Sequence, residues 1–162
     1  MLPRLSTFVT LSPVPGFASW LARERVAEQS TAIHPEDRAK LTLLDRPDWW
    51  QEPQTAEELR EPVLRAAAAY FLAARTPRGV PIDPVARFHL GNGARLEQID
   101  WLADTSAKGL RQSLGLMVNY LYDLEEIEHN HEAYAESRAV VASSAIRKLA
   151  RHSMLQLLPA AG

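Results

Sequence analysis

The sequence of 162 residues contains no cysteine. Disulfide bonds, thiolate nucleophiles and cysteine-based zinc sites are therefore excluded. The chain also lacks an excess of positive charge, because 18 lysines and arginines are balanced by 20 aspartates and glutamates. Proteins that bind nucleic acid or anionic membranes use a basic surface. A membrane-spanning helix needs about 20 consecutive apolar residues, which no stretch approaches, so we expect neither nucleic acid nor a membrane as a partner.

The composition is that of one globular domain, with 46% hydrophobic and 23% charged residues. Residues 1–10 do not show the apolar segment and small-residue cleavage site of a secretory signal. We therefore expect a cytoplasmic protein with a single hydrophobic core.

Near the start of the chain, Ser12 lies between a predicted strand and a predicted helix. Residues 8–11 are rich in β-branched and aromatic side chains, which favours a strand. Pro13 and Pro15 end it, because proline lacks an amide donor and fixes φ. A helical spacing follows at Phe17, Trp20, Leu21 and Val26. The free amides at the start of that helix suit an anionic ligand, whereas a simple turn or capping role for Ser12 is the structural alternative.

A second stretch places His89 at the end of an apolar run over residues 84–90, directly before Gly91-Asn92-Gly93. Glycine reaches positive φ without steric cost, so the triplet predicts a tight turn after a strand. Backbone amides in such a turn can converge on an anion. A histidine held there can face a cleft and transfer a proton, whereas a histidine with purely structural hydrogen bonds is the alternative.

The remaining chain reads mainly as helices. His34-Pro35 predicts a helix start, residues 55–58 form a capping-box pattern, and Pro62 predicts a break or kink. Helices are predicted at residues 62–75, from the Ser106 region to 113, at 123–131 and at 138–157, and a strand at 116–122. Residues 94–101 are ambiguous between strand and helix.

His129-Asn130-His131 raises the alternative of a metal or nuclease site. Residues two apart do not share a helix face, and the sequence places no third ligand beside them. The glutamates around this triplet fit a solvated helix face better than a calcium loop, which requires its own ligand spacing. We therefore predict no metal site.

Two blocks of the sequence carry a family resemblance. The first is Leu11-Ser12-Pro13-Val14-Pro15-Gly16-Phe17 with Trp20-Leu21. The second covers residues 83–122 and contains Phe88-His89-Leu90-Gly91-Asn92-Gly93-Ala94, Trp101-Leu102-Ala103-Asp104-Thr105-Ser106 and Gly115-Leu116-Met117-Val118-Asn119-Tyr120-Leu121-Tyr122. In this order and spacing, the chain resembles the C-terminal part of the catalytic domain of malonyl-CoA decarboxylases.

The resemblance implies an α+β fold, a partial acetyltransferase-like (GNAT-like) domain with a mixed sheet flanked by helices and a strand at residues 94–101. It implies decarboxylation of malonyl-CoA to acetyl-CoA and carbon dioxide, a step of fatty acid metabolism, without a metal or organic cofactor. Ser12 matches the family's proton acceptor and His89 its proton donor, both in contact with substrate. Tyr122 matches an active-site tyrosine, although Tyr120 lies two residues away on the same presumed face. Asp104 is expected to cap a helix, with orientation of a catalytic group as the alternative.

The resemblance also bears on domain organisation. Residues 1–162 match the C-terminal portion of the family's catalytic domain, so its helical domain and first catalytic part, which clamps the CoA pyrophosphate, are expected to be absent. A complementing N-terminal chain or a second copy of this chain is then the expected partner. The alternatives are a non-catalytic module that binds acyl-CoA or another chain, and an acyltransferase that shares the fold.

Overall fold

The structure, a computed structural model, describes residues 6–154, which form one α+β unit. The strands are β1 (Thr7–Pro13), β2 (Arg95–Asp100) and β3 (Met117–Asp123). The α-helices of the described part are α1 (Phe17–Val26), α2 (Pro35–Leu41), α3 (Pro53–Leu72), α4 (Pro84–Gly91), α5 (Ala107–Ser113), α6 (Ile127–Ser137) and α7 (Ser144–Met154), with 3-10 turns at Thr42–Asp45 and Trp49–Gln51. The α+β prediction is therefore confirmed.

The sheet has the order β1-β3-β2, and both pairings are antiparallel. In the β1–β3 register Ser12 lies opposite Val118, and Phe8 lies opposite Tyr122. The strands predicted around residues 8–11, 94–101 and 116–122 are all present. Parallel pairing enters at a single bridge between Leu96 and Ala142, among the residues that the structure describes. β1 therefore forms an edge, with β3 as its strand neighbour.

The core is built around α3, whose alanine-rich second half is almost completely buried. The capping box predicted at residues 55–58 is wrong, because Glu52 precedes the helix and Pro53 begins it. Proline at the first helical position has its φ already set for a helix and loses no amide bond there. The break predicted at Pro62 is also wrong: α3 continues through it as a buried helix, so burial of its apolar face outweighs one missing hydrogen bond.

His89 lies on a helix, so the prediction that it ends a strand is wrong. Asp83 caps the start of α4 by accepting a hydrogen bond from the Ala86 amide at 2.8 Å, and Pro84 occupies the first helical position. Both are helix-start signals. A short apolar run does not by itself distinguish a strand from a buried helix, and the capping residue decides the case here.

Two smaller expectations also need correction or restriction. Val26 ends α1 and is exposed, so it does not share the buried side of Phe17, Trp20 and Leu21. The closing helix is present as α7, but Leu155 and the rest of its predicted end lie outside the described residues. No helix in the described part of the chain is both long and apolar enough to cross a membrane.

The turn after α4 generates a stability prediction. Gly93 has φ +89°, and a β-carbon there would overlap the carbonyl oxygen of Ile127. Replacement of Gly93 by alanine combines left-handed backbone strain with a clash against fixed backbone. We expect Gly93→Ala to lower the free energy of unfolding by about 2–3 kcal/mol, measured by urea denaturation.

Gly91→Ala is the matched control, because Gly91 ends α4 in helical conformation and an added β-carbon would lie 3.7 Å from the Tyr134 ring. Alanine is the better helix former, so this variant should equal or slightly exceed the parent protein in stability. Equal effects of the two substitutions would contradict the assignment of strain to Gly93.

Candidate active site

The structure brings Ser12, His89 and Tyr122 into one hydrogen-bonded array. The Oγ atom of Ser12 lies 3.3 Å from Nε2 of His89. On the other side of the ring, Nδ1 of His89 lies 2.6 Å from the hydroxyl of Tyr122. The imidazole is therefore held between two hydroxyl groups, one at each nitrogen.

The β1–β3 pairing places Ser12 and Tyr122 on one face of the sheet. Alternate residues of a strand point to the same face, so Phe8, Thr10 and Ser12 of β1 share a face. The partners of Phe8 and Thr10 on β3 are Tyr122 and Tyr120, so these tyrosines lie on that face as well. α4 then lays His89 against it. The imidazole carried by α4 thus contacts side chains from both β1 and β3.

The rings around the imidazole fix its plane. His89 stacks on Tyr120 with ring centroids 4.4 Å apart and an interplanar angle of 20°. Tyr122 meets His89 edge-on at 5.8 Å and is itself stacked on Phe8 at 4.7 Å. The hydroxyl of Tyr120 is buried without a hydrogen-bond partner among the described residues. The two tyrosines therefore differ in role: Tyr122 binds the imidazole through its hydroxyl, and Tyr120 through its ring.

Burial sets the protonation of the array at neutral pH. Desolvation lowers the pKa of His89 and raises the pKa of Tyr122. A neutral imidazole and a protonated phenol follow. A neutral imidazole carries one N–H, so two arrangements are open. Either Tyr122 donates to Nδ1 and Nε2–H donates to Ser12, or Ser12 donates to Nε2 and Nδ1–H donates to Tyr122.

Thr10 is a member of the site that sequence reasoning missed. Its Oγ1 lies 3.2 Å from Oγ of Ser12. The serine hydroxyl therefore contacts both a second hydroxyl and the imidazole. The alternation of side chains along the predicted strand was the signal that could have found it, because Thr10 is two residues before Ser12.

Other residues considered from the sequence have structural roles in the described part of the chain. The prediction that Asp104 caps a helix is wrong, because Ser106 caps α5 by accepting a hydrogen bond from the Gly109 amide at 3.0 Å. The carboxylate of Asp104 accepts from the Ser106 amide at 3.1 Å, just before that cap. His131 donates from Nδ1 to the carbonyl of Gly91 at 2.6 Å, and Asn130 donates to the carbonyl of Gly93 at 3.2 Å. These bonds tie α6 to the turn after α4. Within residues 6–154 no cluster of three or more metal-ligating side chains occurs.

The amides of the glycine turn are also occupied. The Gly93 amide donates to the carbonyl of Leu90, and the Ala94 amide donates to the carbonyl of His89. They close the C-terminal end of α4, so the expected convergence of free amides on an anion does not occur there.

Comparison with known proteins gives a consistent result. A family model described as "Malonyl-CoA decarboxylase C-terminal domain" matches residues 1–158. The crystal structure of malonyl-CoA decarboxylase from Rhodopseudomonas palustris is similar with a TM-score of 0.85 and 58% identity, over 89% of this chain and 33% of that one. The Agrobacterium vitis enzyme gives a TM-score of 0.83 and 53% identity, over 90% of this chain and 36% of that one.

Among curated proteins, the mitochondrial malonyl-CoA decarboxylase of Rattus norvegicus is 36% identical over 91% of this chain and 33% of its own length. That of Anser anser anser is 33% identical over 90% of this chain and 32% of its own length. The chain thus spans about a third of the length of the relatives it matches.

The prediction of a cytoplasmic location is contradicted, because the names of these curated relatives place those enzymes in mitochondria.

The family model covers nearly the whole sequence, and the similar structures share both the fold and more than half of the aligned residues. The resemblance seen in the two sequence blocks is therefore confirmed: the chain belongs to the malonyl-CoA decarboxylase family, whose C-terminal domain it matches.

Proposed function

We propose that this chain supplies the serine and histidine of an active site that decarboxylates malonyl-CoA to acetyl-CoA and carbon dioxide. The observation that carries the proposal is the imidazole of His89, held between the hydroxyls of Ser12 and Tyr122. Family membership supports the choice of substrate. We further propose an acetyltransferase-like fold and a role in fatty acid metabolism.

The reaction needs a proton donor and an electron sink. The bond between the carboxylate carbon and the α-carbon breaks, carbon dioxide leaves, and the electron pair moves into the thioester carbonyl to form an enolate. A proton then adds to the α-carbon and gives acetyl-CoA. The substrate's own carbonyl accepts the electrons, so the proposed mechanism uses no metal or organic cofactor. Hydrogen-bond donors can stabilise the enolate oxygen.

In this scheme the Ser12 hydroxyl gives its proton to the α-carbon and takes the Nε2 proton of His89. The negative charge of the enolate then ends on the imidazole, where the hydrogen bond from Tyr122 stabilises it until solvent returns the proton. Tyr122 donates to Nδ1, which leaves the imidazole proton on Nε2, pointed at Ser12. A hydroxyl between imidazole and substrate can take the proton from one and give it to the other. Thr10 gives the Ser12 hydroxyl a second hydrogen-bond partner, which restricts its rotation. Proton transfer by such a positioned group is worth about 10²–10⁴-fold in rate.

The first functional prediction concerns Ser12 and His89 as one unit. In an active assembly that contains this chain, His89→Ala should reduce kcat by about 10²–10⁴-fold, and Ser12→Ala by a comparable factor. The double variant should lose much less than the product of the two factors, because both groups act on one proton transfer. Decarboxylation of malonyl-CoA is followed as release of labelled carbon dioxide.

Neither side chain is core filler, since Ser12 is small and His89 is only half-buried. Circular dichroism and the unfolding transition should therefore remain near those of the parent protein. Full activity in either single variant, or strictly multiplicative losses in the double variant, would contradict the proposed unit.

The second functional prediction concerns pH. Burial holds the pKa of His89 below its ordinary 6.5, so the neutral imidazole persists to lower pH than usual. Protonation of Nδ1 would end its acceptance of the Tyr122 hydrogen bond. We expect kcat to be constant through neutral pH and to fall on acidification below pH 6.5. Burial raises the pKa of Tyr122 above 10, so no alkaline loss from this group should occur below pH 10.

Tyr122→Phe should reduce kcat by about tenfold, the loss of one hydrogen bond that orients the imidazole. Tyr120→Phe is its matched control: it removes a hydroxyl without a described partner and keeps the stacked ring. Its loss should be much smaller. A rate that rises on acidification through pH 6 would show that the imidazolium is the acid and would overturn this assignment.

The exposed edge of the sheet favours the view that the chain works with a partner. In the described part of the chain β1 pairs with β3 alone, and its side chains Phe8, Val9 and Leu11 are each more than half exposed. An apolar, unpaired edge strand is a template for further strand pairing. We propose that this edge pairs with a complementing N-terminal polypeptide or with a second copy of the chain. A non-catalytic module that binds acyl-CoA or another chain is the alternative function.

The edge gives a prediction that separates these functions. Leu11→Lys should weaken association measured by size-exclusion chromatography with light scattering and should lower any partner-dependent decarboxylation. Val26→Lys is the matched control, because Val26 is an equally apolar, exposed residue at the end of α1. Association that requires Leu11, without decarboxylation in any assembly, would support the non-catalytic alternative. Unchanged association in Leu11→Lys would contradict the role of the edge.

A further inference from the structure

The carboxyl group of Asp83 is buried and takes no part in the proposed reaction. Asp83 is 1% exposed, and each of its carboxylate oxygens accepts a hydrogen bond. Oδ2 accepts from the Ala86 amide at 2.8 Å, and Oδ1 accepts from the hydroxyl of Tyr70 at 3.1 Å. Burial raises the pKa of Asp83, so retention of a carboxyl there costs stability. The two hydrogen bonds indicate a role for Asp83 that offsets this cost, because they join two segments of the chain.

The first bond connects Asp83 to His89 through a short helix. Asp83 caps α4, and the Arg87 amide donates to its backbone carbonyl at 3.1 Å. α4 ends at Gly91, so His89 lies in the last turn of the helix that Asp83 begins. A helix of eight residues moves almost as a rigid unit. The position of its first turn therefore sets the position of the imidazole.

The second bond connects Asp83 to the segment that carries Ser12. The centroid of the Tyr70 ring lies 5.6 Å from that of Phe17 and 5.2 Å from that of Trp20, and both partners are in the first turns of α1. The Tyr70 hydroxyl lies so near Gly16 that a β-carbon there would be 3.0 Å from it. Gly16 precedes α1 and follows Ser12 after three residues of the connecting turn. The Tyr70 hydroxyl thus lies beside Gly16, at the start of α1, and donates a hydrogen bond to Asp83, at the start of α4.

We propose that Tyr70 and Asp83 are positioning residues that set the distance between Ser12 and His89, an inference that rests on the proposed function. The Ser12–His89 separation of 3.3 Å is already at the long end of hydrogen-bond geometry. A shift of α4 by a fraction of an ångström breaks that contact. Misplacement of a reacting group by about 1 Å can cost 10²-fold in rate.

The groups around the imidazole define a readout that does not need turnover. Tyr122 and Ser12 bond its nitrogens, and the Tyr120 ring covers one face. The nearby charges on α4 are Asp83 at its start and Arg87 in its middle. If α4 loosens, water reaches His89 and its pKa rises toward the ordinary value. Nitrogen-15 NMR titration, with the His89 signal assigned by its absence in His89→Ala, measures this change.

Tyr70→Phe and Asp83→Ser are the test variants. Phenylalanine keeps the ring contacts and removes the hydroxyl. Serine remains a good helix cap but has a single oxygen, so it cannot bond both the Ala86 amide and the Tyr70 hydroxyl in place of the carboxylate. We expect each to lower kcat by about 10–100-fold with KM within about twofold, because the binding groups stay in place. The His89 pKa should rise in both. Tyr134→Phe is the control, since the buried Tyr134 ring on α6 lies beside Gly91, the last residue of the helix that carries His89. The His89 titration of this variant should match that of the parent protein.

The outcomes separate this inference from the proposed function. A raised His89 pKa in the two test variants, with no decarboxylation in the parent assembly, would support positioning and refute the proposed activity. A His89 titration and a kcat unchanged in both test variants would overturn the positioning role and leave the proposed activity intact. If Asp83→Ser has no cooperative unfolding transition, Tyr70→Phe alone decides the test, because it keeps the packed ring.

Discussion

The pairing of β1 with β3 is the constraint on which the site depends. Its antiparallel register puts Phe8 opposite Tyr122 and Thr10 opposite Tyr120, so that serine, threonine and both tyrosines point to one face. A shift of one residue would turn every β1 side chain to the other face. α4 lays one imidazole on this face. The chemistry thus depends on strand register, and the strand that sets it lies at the open edge of the sheet.

Burial then gives the array its electrostatic character. The imidazole is neutral because desolvation lowers its pKa, and the phenol stays protonated because desolvation raises its pKa. Two hydroxyls and one neutral ring can pass a proton without separating charge in a poorly hydrated site. Behind them, Asp83 and Tyr70 join the two chain segments that carry the reacting groups. The proposed site is therefore supported by a second polar layer with its own hydrogen bonds.

The sequence predicted much of this arrangement for identifiable physical reasons. β-branched and aromatic residues located the strands, and the two motif blocks located Ser12, His89 and Tyr122, which the structure places in contact. It failed where one local signal competed with another. The run before Gly91 was predicted as a strand, although Asp83 and Pro84 carry the signals of a helix start. Thr10 and Tyr70 were missed because their roles depend on register and on contacts between distant segments, which periodicity does not report.

The proton position on His89 tests the central claim most directly. The proposed mechanism requires that Tyr122 donates to Nδ1, which places the imidazole proton on Nε2 toward Ser12. Nitrogen-15 chemical shifts of His89 in the parent protein at pH 7.5 distinguish the neutral tautomers and the imidazolium. We predict a neutral ring protonated at Nε2. A ring protonated at Nδ1, or an imidazolium at that pH, would contradict the account.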